Sequence, residues 1–102
     1  MGFHGNSYQN QALHHLYVII DGDDDSIYKY GISDDFIDSD GLSGRVREQL
    51  DLFNRIAGFP RFYAKILLRE IPGRRKARDL ERQHIRTFQE KYGRRPPGNL
   101  RD

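Results

Sequence analysis

A chain of 102 residues has room for one domain with a modest core. It contains no cysteine, which excludes disulfides and thiolate metal sites, and no run approaches the roughly 20 apolar residues of a membrane-spanning helix. The net charge of +2 is unevenly distributed: residues 1–43 hold eight acidic side chains and one basic one, Lys29, a balance of −7, whereas residues 44–102 balance at +9. A polyanion is expected to land on the second part, unless those arginines merely solvate helix faces.

In chain order, residues 1–13 mix Gly, Asn, Gln and Ser without periodicity and read as a flexible leader or linker. The polar start also lacks the apolar centre of a signal peptide. The domain proper is expected over 14–102. "HLYVIID" (15–21) and "SIYKYGI" (26–32) are rich in β-branched and aromatic residues and flank "DGDDD", which predicts a β-hairpin. Asp21, Asp23 and Asp25 match the first positions of a calcium loop, but Ser26 and Ile32 replace the glycine and glutamate that such a loop requires, so a solvated tip is expected. After a loop, Ser43 caps a helix carrying Val46, Leu50, Phe53 and Ala57, which Gly58 and Pro60 end. "FYAKILLRE" (62–70) supplies a third strand, and a long helix follows from about Arg74 to Tyr92, stopped by Gly93 and the Pro96-Pro97 pair. The order β-β-α-β-α predicts an α+β fold: a small, mostly antiparallel three-stranded sheet flanked by helices.

Ala77, Glu81, Ile85 and Phe88 recur at helical spacing, so the stripe expected to face the sheet contains a carboxylate. Burying an unpaired carboxylate is costly. Glu81 is therefore either a structural ion-pair member or a cation ligand in a cleft. Arg45 flanks the apolar stripe of the preceding helix and is expected at the edge of the core, either clamping a phosphate or pairing with Glu81. Tyr17 lies mid-strand with Lys29 in the partner strand. It is either a packing residue or a phenol whose pKa a neighbouring ammonium lowers. His14 and His15 read as a strand-edge pair without a special role in preference to metal ligands or groups acting near the phosphate, and a single E-x-x-H (Glu81, His84) falls short of a di-iron site.

Taken together, these residues resemble the GIY-YIG nuclease family. "HLY" (15–17) stands where that family has Gly-Ile-Tyr and "KYG" (29–31) where it has Tyr-Ile-Gly. "SGRVREQL" supplies its arginine as Arg45, "ARDLERQHI" its glutamate as Glu81, and "PPGNL" its terminal asparagine as Asn99. The match spans roughly residues 15–100. It departs from the pattern where His15 replaces glycine and Lys29 replaces tyrosine, as lysine does in some restriction enzymes of the family. The polar segment before the hairpin and the closing "YG..PPGN" look like the nuclease domains at the ends of bacterial polymorphic toxins.

The resemblance implies a GIY-YIG/URI-like fold and a metal-dependent endonuclease acting on DNA in preference to RNA. It would be delivered from a bacterium into a target-cell cytoplasm, or otherwise be cytoplasmic, and be held in check by a cognate immunity protein. Tyr17 would be the general base assisted by Lys29, Arg45 would bind the scissile phosphate, and Glu81 would hold Mg²⁺ or Mn²⁺. Arg74, Arg75, Lys76 and Arg78 would contact the substrate, with Arg82 and Arg86 continuing the basic side, and Asn99 would bind substrate phosphate or fix nearby backbone. The rival readings are a repair, restriction or mobile-element nuclease of the same family, and a non-catalytic module that binds nucleic acid or protein.

Overall fold

The computed structural model describes residues 12–100. The segment Leu16–Ile20 is apolar at every position, so a strand made from it must be covered on both faces. It lies within β1 (Leu13–Asp21), the middle strand of a three-stranded antiparallel sheet. Strand β2 (Ser26–Ser33) pairs with one edge of β1, and β3 (Phe62–Pro72) pairs with the other. The leader expected over 1–13 lies outside the described residues as far as residue 11, and Leu13 already begins β1.

Side chains alternate between the faces of a strand, and each face of β1 meets its own helix. Tyr17 and Ile19 pack against Val46 of α1 (Gly44–Ala57). Leu16 packs with Ala77, and Val18 and Ile20 pack with Ile85 and Phe88, all from α2 (Arg74–Tyr92). Each such large side chain, fully buried, contributes about 1.5–3 kcal/mol. Ser43 caps α1 by accepting from the Val46 N–H at 3.4 Å, and Gly58 and Gly93 close the two helices in the left-handed region, as their positions in the sequence predict.

Two irregularities prepare the cleft. The β1–β2 register shifts by one residue between Ile19 and Ile20, leaving Tyr28 as the extra, unpaired residue of a bulge in β2. Tyr28 and Lys29 therefore both reach the α1 side: Tyr28 stacks on Phe53 and Phe62, and the Lys29 ammonium sits 5.9 Å from the Phe53 ring centroid. The second irregularity is the outer edge of β2, which the C-terminal segment covers. Gly98 N–H donates to the Tyr28 carbonyl at 2.7 Å, and the buried Asn99 amide accepts from Tyr30 N–H at 2.7 Å and donates to its carbonyl at 2.9 Å. A side-chain amide thus takes the place of a neighbouring strand.

Candidate active site

The two helices pack on opposite faces of the sheet, yet residues of both reach one cleft of about 770 Å³ that runs along β2. The floor is Tyr17, buried to 1 % exposure. Its register partner is Gly31, and the ring lies so close over that glycine that a Cβ there would stand 2.3 Å from both Cζ and the hydroxyl oxygen. Glycine is the residue that lets the phenol cross β2 toward the opening.

Lys29 does not face Tyr17 directly, as the hairpin reading expected; the bulged register sets Ile19 opposite Lys29 and leaves the phenol on the diagonal. Gln49 of α1 connects them. Lys29 Nζ donates to Gln49 Oε1 at 2.8 Å, and Gln49 Nε2 donates to the Tyr17 hydroxyl at 2.6 Å. The expected depression of the phenol pKa is not found. Burial pushes it above its usual value, while the Gln49 hydrogen bond and the Arg45 guanidinium pull it down and the Glu81 charge pushes it up again. Burial also lowers the Lys29 pKa, helped by Arg45 and opposed by Glu81.

Arg45 lines the cleft from the first turn of α1, and its backbone N–H is held by Asp35 Oδ2 at 3.0 Å. It is exposed and not at the core edge, because α1 begins its packing only at the next residue, Val46. Glu81 enters from α2 with its side chain 13 % exposed. Its ion-pair partner is Arg78 at 3.6 Å, not Arg45. Burial raises the Glu81 pKa, against the pull of Arg78, Lys29, Arg74 and Arg82. That balance leaves Glu81 a carboxylate whose charged form is poorly solvated.

The basic entry to α2 divides by helical phase. Arg74, Arg78, Glu81 and Arg82 share the face turned to the cleft. Arg75 is exposed elsewhere, and Lys76 lies on a neighbouring face with Asp79 and Arg86, so these two expected substrate contacts do not line the cleft. The first turn of α2 has no side-chain cap and no acidic residue, so its free N–H groups and its cations add positive potential at one place. Of the two roles expected for Asn99, the structure shows the backbone one: both amide atoms are engaged by Tyr30, and the residue forms part of the cleft wall.

His14 and His15 are not an edge pair: β1 is central and both are buried. His14 lines the cleft and bonds the Ala12 carbonyl at 2.7 Å. His15 sits 6.3 Å from the Tyr17 ring, its Nε2 has no hydrogen-bond partner, and burial lowers its pKa. Sequence reasoning missed Gln49 as a functional residue. The only available signal was its place one turn after Arg45 on the same helix, where a glutamine usually reads as surface. The acidic hairpin tip is tied down by Arg61, which bonds Asp21 at 2.8 and 3.0 Å and pairs with Asp23 at 3.3 Å.

No group of three or more His, Asp or Glu side chains able to hold a metal occurs among the described residues, and no described helix is long and apolar enough to cross a membrane. The family described as URI fold toxin 2 matches residues 7–93, a span that includes Tyr17, Lys29, Arg45, Gln49 and Glu81 and stops short of Asn99. No curated protein and no solved structure matches the chain.

Proposed function

The chain belongs to the URI fold toxin 2 family, and from that premise we propose that it is a metal-dependent endonuclease of the GIY-YIG type, cutting nucleic acid, DNA by preference, inside a target cell. One observation carries this reading: Tyr17, Lys29, Arg45 and Glu81, from four different elements, line a single cleft.

Phosphodiester hydrolysis needs a base for the attacking water, neutralisation of the crowded phosphate and help for the leaving oxygen. Tyr17 is the base, accepting the water proton on its phenolate oxygen. Arg45 binds the scissile phosphate with a planar pair of donors. Lys29 and Arg74 add positive charge where negative charge develops. The cleft fits Mg²⁺, which tolerates one protein carboxylate when phosphate oxygens and water complete its shell; Glu81 is the residue that would hold it. Such a cation, when bound, neutralises phosphate charge and eases departure of the leaving oxygen. Arg78 and Arg82, on the same face of α2, hold the flanking phosphates without regard to sequence. A toxin of this kind implies an immunity protein, and a cationic cleft suits an acidic one.

The test is nicking of supercoiled plasmid in Mg²⁺ by the wild type and by Glu81→Ala, with urea unfolding of both. The variant should lose about 10²-fold or more in rate, since a group contributing roughly 3 kcal/mol at the transition state is removed. Its stability should be retained, because burial already disfavours the charged form. Wild-type rates in Glu81→Ala would remove the metal assignment.

A further inference from the structure

The link between Lys29 and Tyr17 has a direction. An ammonium has donors only, so the group it meets at 2.8 Å must be the carbonyl oxygen of Gln49. The other end of the same amide is then the NH₂, which has no acceptor, and at 2.6 Å it donates to the Tyr17 oxygen. The phenol is thereby an acceptor on its α1 side, and its own proton is turned away from Gln49.

Resting on the endonuclease reading above, we propose that Gln49 is the positioning residue for the general base: oriented by Lys29, its amide fixes Tyr17 as an acceptor and, beside the Arg45 guanidinium, stabilises the phenolate. Lys29 alone would bring a full charge to the phenol and would compete for substrate phosphate. Through the amide it acts at one remove, and its ammonium stays available to the cleft. The arrangement also opposes the burial of Tyr17, which by itself favours the neutral phenol. The groups that face the phenol from every side are Lys29 on β2, Arg45 and Gln49 on α1, Glu81 on α2 and His15 on β1.

The experiment is the pH dependence of single-turnover plasmid nicking at saturating protein and fixed Mg²⁺, for wild type, Gln49→Leu and Gln49→Glu. It is joined to tyrosinate absorption titrations read against Tyr17→Phe. Wild-type rate should rise with pH as the phenol ionises. Gln49→Leu loses a hydrogen bond to an anion, so its rising limb and its tyrosinate titration should both move up by about one pH unit or more. Gln49→Glu keeps shape and still accepts from Lys29, but its carboxylate can only accept from the phenol, so at saturating protein it should move the limb at least as far. The isosteric glutamate keeps the question answerable if Gln49→Leu misfolds.

Limbs that stay in place in a folded Gln49 variant would overturn the proposal, as would equal rate loss at every pH. If the wild type cuts neither DNA nor RNA, the endonuclease reading falls on its own, and the absorption titration alone decides whether Gln49 governs Tyr17.

Discussion

Gly31→Ala tests the geometry of the cleft with one methyl group. Built on the present backbone, the new Cβ would stand 2.3 Å from Cζ and from the hydroxyl oxygen of Tyr17 and 2.8 Å from Cε1, about 1 Å inside ordinary contact. The obstacle is a rigid, buried ring, so the phenol or β2 must move by about that amount. A displacement of 1 Å in a catalytic group costs on the order of 10²-fold in rate. Overpacking a buried site costs about 1–3 kcal/mol. The opposing term is small: in a strand without a clash, replacing glycine by alanine stabilises by about 0.4–1 kcal/mol. The contact therefore wins, and Gly31→Ala should lose both stability in urea unfolding and roughly 10²-fold in plasmid nicking. The two readouts separate causes. Lost activity with unchanged stability would still fit a displaced phenol, whereas a variant that is more stable than wild type and cuts at the same rate would refute the packing of Tyr17 on Gly31.

Asn99→Ala should destabilise the fold by on the order of 2 kcal/mol, because it leaves the Tyr30 N–H and carbonyl without partners at a covered edge; a change below about 0.5 kcal/mol in urea would contradict that role. Asp21 is held below its usual pKa by hydrogen bonds from Arg61, so its ionised form binds the folded state better than the unfolded one. Its stabilisation is present above the unfolded value near pH 4 and is lost as pH falls through the folded value. Asp21→Asn should thus be less stable than wild type at pH 7, with the gap closing in acid; a gap that is the same at pH 7 and pH 2 counts against it.

Much of the fold was legible because local signals agreed with one another. Ser43, Gly58 and Gly93 mark helix ends, the apolar stripes mark both buried helix faces, and "DGDDD" separates two β-rich runs. Glu81 stood out because it interrupted an apolar stripe, and the fold brings it to the cleft through that same interruption. The relation of Lys29 to Tyr17 was not legible. It depends on a one-residue bulge that turns Tyr28 and Lys29 to the same side, and strand alternation alone gives the wrong neighbour. Gln49 was hidden for a related reason: its partners are 20 and 32 residues away, and nothing local distinguishes it from a solvated glutamine. The separation of Arg74 and Arg78 from Arg75 and Lys76 follows from helical phase once the packed face of α2 is known.

The cover over β2 also decides how this sheet can meet other chains. With Gly98 and Asn99 seated along one margin, β3 is the margin left for strand addition among the described residues, and the left-handed kink at Glu70 (φ 55°) shortens even that. Two copies meeting antiparallel about Lys65 would oppose ammonium to ammonium, which discourages self-templated growth. Among the described residues, edge-to-edge pairing of this sheet is therefore disfavoured at both margins: one is occupied by the chain's own C-terminal segment and the other repels its own copy.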